Sequence, residues 1–383
     1  MRILVLGGDG YLGWPVAMHF SAKGNNVCVV DNYLRRKICK ETDSEPLFKV
    51  PDLNERASIY EQVSGNRINV NIGDCSDYHF LVNLIKNFKP EVIIHFAEQP
   101  SAPYSMRNYS SAYLTFKNNL ETTFNLIWAV KELAPRCHIV KLGTMGEYGT
   151  PNIDIEEGWL NIHHNGRNDT FLYPRQAGSL YHTTKVLDTD LLWFYVRTSN
   201  LCVTDLMQGP VYGLSTKESD LDFKLSPFFN YDDIFGTVVN RFVTQAVAGI
   251  PLTIYGKGEQ IRGYLNIKDT LQCIELALEN PPILGELRVL NQFTEKFSVN
   301  EIAKIVKNSG AELGIDVKIE AINNPRQEKE EHYYNPRHSG FADLGLKPHL
   351  LSNEVIKGMM NMIMPFKKEI DIKKVMPRVN WKN

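Results

Sequence analysis

The sequence predicts an α/β fold built on a parallel sheet, and three observations carry that prediction. Short apolar runs at 2–6 (RILVL), 26–31 (NVCVVD), 91–96 (EVIIHF), 138–142 (HIVKL) and 201–207 (LCVTDLM) have the length and character of strands buried on both faces. Segments of helix length separate them, and a glycine-rich turn follows the first run at once. Together these specify a Rossmann-type doubly wound sheet over 1–208. The looser alternation after 208 specifies a smaller C-terminal α/β substrate domain over 209–383, some of whose segments return to the first domain.

The first run leads into LVLGGDGYLG, where Gly7, Gly10 and Gly13 open a helix. A tight turn of that kind brings backbone N–H groups and the helix dipole to a pyrophosphate. Asp31 ends the second run 18 residues after Gly13, where a carboxylate accepts from the adenosine 2′-hydroxyl and repels a 2′-phosphate. NAD is therefore expected over NADP, with Asn32 beside Asp31. Arg35 and Arg36 follow closely; they could take a 2′-phosphate, but a polar loop is expected to leave them solvated. Residues 32–68 contain RRKICKETDSEP and are too long for a plain connection, so they read as an inserted flap or partner contact. GDCSD at 73–77 falls at the next strand end, where Asp74 and Cys75 either flank the adenine or cap a helix.

Later elements include a helix at 236–249 (GTVVNRFVTQAVAG) and another from Ser298, where Ser298 and Glu301 form a capping box and Gly310 supplies the stop. A chain of 383 residues, 43% apolar and 22% charged, has room for two packed domains. The net charge of −2, without long like-charge blocks, gives no footprint for nucleic acid or an anionic membrane. Six scattered cysteines without a CxxC spacing suggest neither a disulfide framework nor a metal site. Membrane insertion is not expected, because no apolar run reaches the roughly 18 residues of a span. A strand beginning at Arg2 leaves no room for a targeting peptide, so the expected location is the cytoplasm.

Catalytic chemistry is suggested by Tyr181-His-Thr-Thr-Lys185 within GSLYHTTKVLDTDLLWFY. Residues i and i+4 share a helix face, so the Lys185 ammonium can stand beside the Tyr181 phenol and favour phenolate. Thr144 ends a strand 37 residues upstream, in LGTMGEYG.

Glycine turn, Thr144 and YxxxK together resemble the extended short-chain dehydrogenase/reductase superfamily, over nearly the whole chain. The resemblance implies a nucleotide-sugar substrate, a bound NAD, and Thr144, Tyr181 and Lys185 as the catalytic trio. It also assigns Asn119 in FKNNLETTFNL, although Thr122 replaces the usual glycine, and puts Arg262 and Gln208 on the substrate side. Members that eliminate water carry Thr-Asp-Glu where this chain has Thr144-Met145-Gly146, so their acid and base are absent. HFAEQPSAPYSM (95–106), CHIVKLGTMGEYGTPNIDIEEG (137–158), HNGRNDT (164–170) and NPRQEKEEHYYN (324–335) resemble more narrowly a sulfosugar-forming branch of the superfamily. That resemblance implies UDP-glucose and sulfite as substrates. Glu147 and His182 are candidates for the elimination step, which Tyr181 itself could also serve, while His163 and His164 read as loop residues. Gln99, Ser101 and Arg107 are candidates for sulfite, and Arg326 for the diphosphate. The branch carries Arg where this chain has Pro100, a loss that Arg107 or Arg175 would have to make good. A homodimer or homotetramer through helices at 107–133 and 181–199 is implied, and sulfite could arrive free or from a donor protein. The competing readings are a UDP-hexose 4-epimerase and a silent NAD-binding scaffold.

Overall fold

In chain order the strands are β1 (Arg2–Leu6), β2 (Asn26–Asp31), β3 (Ile68–Ile72), β4 (Val92–His95), β5 (His138–Thr144), β6 (Trp159–His164), β7 (Arg167–Leu172) and β8 (Cys202–Gln208). They continue with β9 (Val211–Tyr212), β10 (Leu252–Tyr255), β11 (Ile261–Asn266), β12 (Leu287–Gln292), β13 (Glu295–Ser298) and β14 (Ile319–Ile322). The protein is known from a computed structural model that describes residues 1–326, 332–376, 378–379 and 381. Residues 327–331, within NPRQEKEEHYYN, lie outside the described residues.

Seven strands form one sheet in the order β12-β8-β5-β4-β1-β2-β3, every pairing parallel. Alternation explains why the apolar runs are continuous: Leu4 and Leu6 face one side of the sheet, Ile3 and Val5 the other. One face is covered by helices Tyr78–Phe88, Tyr109–Leu133 and Leu180–Ser199, through residues such as Leu81, Ile127 and Val196. The other is covered by Gly13–Ala22, Leu53–Ser64 and Ile267–Glu279, through Trp14, Leu53 and Ile274. A second core joins helices Val238–Ala248, Val299–Glu312 and Asn353–Ile363.

Helix Ile267–Glu279 and β12, both after residue 208, lie with the sheet, so that region is divided between both cores. Several expectations need correction. Residues 32–68 form helix Leu34–Glu41, the whole of helix Leu53–Ser64 and the first residue of β3. Phe48 lies in the second core while Tyr60 lies in the sheet core, and Lys374 pairs with Asp43 at 2.9 Å and Glu45 at 3.3 Å. This segment ties the chain's own two cores together.

Gly310 does not end its helix: Ser298 and Glu301 form the capping box, but the helix runs on to Glu312. A Cβ at Gly310 would fall 2.5 Å from Val317 Cγ2, so close packing accounts for that glycine, and the left-handed residue beyond the helix is Gly314. His163 and His164 are strand residues, because β6 and β7 form an antiparallel hairpin closed at Asn165–Gly166, both with positive φ. Among the described residues no helix is long and apolar enough to cross a membrane. All six cysteines are buried thiols.

Candidate active site

The carboxyl ends of the central strands open into a cavity of about 500 Å³ lined by residues from both before and after Gln208. At its first end Gly7 has φ +87°, and a Cβ there would stand 2.7 Å from the Phe96 carbonyl; a Cβ at Gly13 would stand 2.0 Å from the Gly7 carbonyl oxygen. Only glycines permit this close backbone turn, the feature a dinucleotide pyrophosphate needs. Gly10 lines the same turn. Asp31 accepts from the Asp9 N–H at 2.9 Å and the Tyr33 N–H at 2.7 Å, and burial beside Asp9 pushes its carboxyl up to about 6. Asn32 donates to Asp74 at 2.9 Å, and Asp74 also accepts from Ser76 N and Oγ. Asp31, Asn32, Asp74 and Cys75 all line the cavity. This cradle with its terminal carboxylate fits NAD.

The two arginines after Asp31 are not solvated. Arg36 is held by both carboxylate oxygens of Asp9 at 2.6 and 2.8 Å, and by the carbonyls of Val50 and Pro51. Arg35 lines the cavity, donates to Asn230 at 2.6 Å and lies over the rings of Phe228 and Phe235.

Thr144, Tyr181 and His182 line the middle of the cavity. Ser179 caps the helix that carries the tyrosine, accepting from the His182 N–H, so Tyr181 and Lys185 share one face. Lys185 does not stand as an unopposed charge beside the phenol. Its Nζ donates to the Leu142 carbonyl at 2.7 Å and pairs with Glu98 Oε2 at 2.6 Å, both side chains nearly inaccessible. Burial, reinforced by Glu98 and Glu147, holds the Tyr181 phenol above its ordinary range, the reverse of the expected depression. His182 has Nδ1 3.0 Å from Ser179 Oγ, and a Cβ on Gly146 would fall 2.4 Å from its Nε2. Burial, with Arg326 and Arg262, pushes its imidazole down to about 3, so it is neutral.

Glu147 faces away from this space. Thr144 and Glu147 cap the turn Met145–Glu147 reciprocally, which swings Glu147 behind β5 against Lys141 (3.4 Å) and Arg175 (3.5 Å). Asp205 meets the same lysine at 3.5 Å. Burial pulls Lys141 down, but Asp205 and Glu147 outweigh it; burial raises Glu147 despite Lys141. Glu147 therefore has no access to a sugar in the cavity.

The loop after β4 is also structural where sulfite donors were expected. Gln99 spends its amide on Thr115 and Ser101, and Asn119 ties Gln99 to Thr184. Ser101 donates to the Ile234 carbonyl and lines only a smaller adjoining cavity. Arg107 pairs with Glu41 at 2.8 Å on the surface. With Arg175 turned to Glu147, neither replaces the missing arginine at Pro100, which itself lines the main cavity. Sequence reasoning passed over Glu98 and Lys141; the available signal was a charged residue inside or directly after a strand otherwise buried on both faces.

Gln208, paired in register with Thr144, lines the cavity together with Arg262, Arg326 and Tyr334. Gln208 donates to Gln292 at 2.9 Å, Arg262 donates to the Ile261 carbonyl and lies 2.9 Å from His332 Nε2, and Arg326 lies over the rings of Tyr255 and Trp381. Two guanidinium groups in the same cavity as a phenol and a threonine hydroxyl can seat an anionic tail while a sugar hydroxyl meets Thr144 and Tyr181.

Known proteins agree with this geometry. The profile of the NAD dependent epimerase/dehydratase family matches residues 3–291. The chloroplastic UDP-sulfoquinovose synthase of Spinacia oleracea is 48% identical over 381 residues, spanning 100% of this chain and 79% of the relative. The UDP-sulfoquinovose synthase of Sulfolobus acidocaldarius is 45% identical over 385 residues, spanning 100% and 98%. Among solved structures, the UDP-glucose 4-epimerase of Thermotoga maritima with UDP-glucose superposes with a TM-score of 0.71 at 20% identity, covering 97% of this chain and 100% of that one. That of Bifidobacterium longum with NAD⁺ and UDP gives 0.72 at 18%, covering 95% and 98%. At such identities the two epimerases share the fold alone. The chain belongs to the NAD dependent epimerase/dehydratase family and, within it, to the UDP-sulfoquinovose synthase branch.

Proposed function

We propose that the protein converts UDP-glucose and sulfite to UDP-sulfoquinovose and water. The observation that carries this reading is the full-length identity of 48% and 45% to two UDP-sulfoquinovose synthases. NAD held by the turn at Gly7, Gly10 and Gly13 and by Asp31 would supply reversible hydride acceptance at C4 of the glucose.

Tyr181 accepts the 4-hydroxyl proton while Thr144 hydrogen-bonds the same oxygen, leaving a 4-ketone. The ketone acidifies the C5 hydrogen, and the 6-hydroxyl leaves as water to give a 4-keto-5,6-ene. Sulfite adds at C6 through sulfur, a proton returns to C5, and Tyr181 gives its proton back to the C4 oxygen as the ketone is reduced. Thr144-Met145-Gly146 brings no carboxylate to the elimination, so the proton relay falls to neutral His182, whose Nε2 stands over Gly146 where its ring is accommodated. Arg262 and Arg326 hold the diphosphate.

A homodimer or homotetramer through Tyr109–Leu133 and Leu180–Ser199 is supported by the exposed Tyr109, Tyr113, Phe116 and Phe194 along them. Buried reduced cysteines support a reducing compartment such as the cytoplasm.

Mass spectrometry of UDP-glucose incubated with the protein, with and without sulfite, tests the reading. A sulfonate replacing a hydroxyl is expected only with sulfite, and about 10²–10⁴-fold more slowly in Tyr181→Phe. Product from free sulfite would mean that no donor protein is required. An unchanged mass, with the sugar equilibrating with its galactose isomer, would replace the synthase by a UDP-hexose 4-epimerase.

A further inference from the structure

We infer that Glu98 is a positioning residue of the reaction: its carboxylate fixes the Lys185 ammonium and cancels that ammonium's field at Tyr181. The inference rests on the C4 oxidation proposed above and assigns a group to it beyond the Thr-Tyr-Lys trio.

Glu98 follows β4 by three residues and lines the reaction cavity, yet its carboxylate is 2% exposed and stands 2.6 Å from Lys185 Nζ. His95 Nε2 lies 3.4 Å from its other oxygen, and His95 is in turn 3.1 Å from Thr123 Oγ1. Two buried charges at this separation persist only as a pair, so Lys185 is held against Glu98 and the Leu142 carbonyl rather than left to swing.

The charges around the pair point the same way. Lys141 comes from β5, and Asp188 lies buried on the helix that carries Lys185. Burial would raise Glu98, but Lys185, His95 and Lys141 outweigh it and keep it ionised. Burial and then Glu98 hold the Asp188 carboxyl well above the ordinary carboxylate range. The charges acting on Tyr181 are Glu98, Glu147 from behind β5 and Asp188 against Lys141, and after burial Glu98 is the strongest influence keeping the proton on the phenol. A second carboxylate beside a YxxxK pair has a chemical use. It keeps the phenol protonated until positive charge arrives with the dinucleotide, so the base is switched on only in the loaded site.

The test follows holoenzyme mixed with UDP-glucose alone, reading the near-ultraviolet absorbance of reduced nicotinamide against pH, in wild type, Glu98→Gln and Glu98→Asp. The oxidation rate rises as the phenol loses its proton, so removing a negative charge moves the rising limb to lower pH. For Glu98→Gln a displacement of about one pH unit or more is expected. Glu98→Asp, whose shorter carboxylate loosens the pair but keeps the charge, should move the limb the same way by less. If Glu98→Gln does not fold, Glu98→Asp decides alone. A limb unmoved in the folded variants, with activity lowered equally at every pH, overturns the inference and leaves Glu98 a packing residue. Lack of sulfonated product in the wild type would count against the synthase reading alone, because any C4 oxidation by this phenol gives the absorbance signal.

Discussion

Gly146 and Glu147 are neighbours in the chain and end in opposite surroundings. Behind β5, Glu147 joins Lys141, Asp205 and Arg175 in a dry network of opposed charges. In front, Gly146 supplies only space, which the neutral imidazole of His182 occupies at the edge of the reaction cavity. The capping box at Thr144 creates the contrast by closing the turn so tightly that consecutive residues leave on different sides. Charge close to the reacting atoms is paired, Lys185 with Glu98 and Lys141 with the carboxylates behind the strand, while the turn beside Tyr181 offers the sugar a hydroxyl, a phenol and an uncharged ring. For the reaction proposed above that separation is an advantage, since a carboxylate at Gly146 would repel an incoming anion such as sulfite.

The largest effect expected on the rear side is that of Lys141→Met. Lys141 Nζ also donates to Thr189 at 2.8 Å and the Lys185 carbonyl at 3.1 Å, so its loss leaves Glu147 and Asp205 facing each other without a cation between them. Removing one partner from a buried pair costs about 3–5 kcal/mol. Urea denaturation should therefore show a midpoint well below that of the wild type. An unchanged midpoint would mean that the carboxylates take up protons in the fold and that the network is no charge store.

On the front side the matching change is Gly146→Ala. The added methyl meets the His182 ring at 2.4–2.8 Å, and the imidazole is the part that can move. Stability should barely change, whereas displacing an aligned group by an ångström slows turnover by up to about 10²-fold. Product formation followed beside thermal unfolding separates the two sides: a large drop in stability with turnover intact would make His182 a packing residue and dissolve the contrast.

What the sequence made legible follows the same division. Strands buried on both faces are written as apolar runs, so β1, β2, β4, β5 and β8 can be read directly. β3 (INVNI) and β12 (LRVLNQ) are interrupted by polar residues because they lie at the sheet edges, where pairing comes from one neighbour only. The glycine turn, Asp31, Thr144 and Tyr181 are local in sequence and meet in one cavity. The role of Glu147 was not legible, since alternation along an extended chain says nothing about a turn that reverses at Thr144. Glu98 was illegible for a different reason: its partner lies 87 residues away, and only the sheet and the helix Leu180–Ser199 bring the two together. Arg36 looks solvated in the sequence because the carboxylate that captures it belongs to the glycine turn.

The smallest effect concerns burial without a charge. His138, at the opposite end of β5 from Thr144, lies 2.8 Å from Thr204 Oγ1, and burial, helped by Arg288, pushes its imidazole down to about 4. The unfolded chain binds a proton there below about pH 6.5 while the folded chain does not. Stability is therefore fully present above that pH and is lost as pH falls toward 4, with the contribution of His138 about 1.4 kcal/mol one pH unit below 6.5. His95, likewise pushed to about 4, adds a parallel loss. His138→Gln retains an amide for Thr204 but does not titrate, so its unfolding free energy should fall less steeply over this range, with the His95 part remaining. An identical slope in wild type and variant would show that His138 carries its proton inside the fold, which would extend the charged side of β5 along the whole strand instead of confining it to the turn.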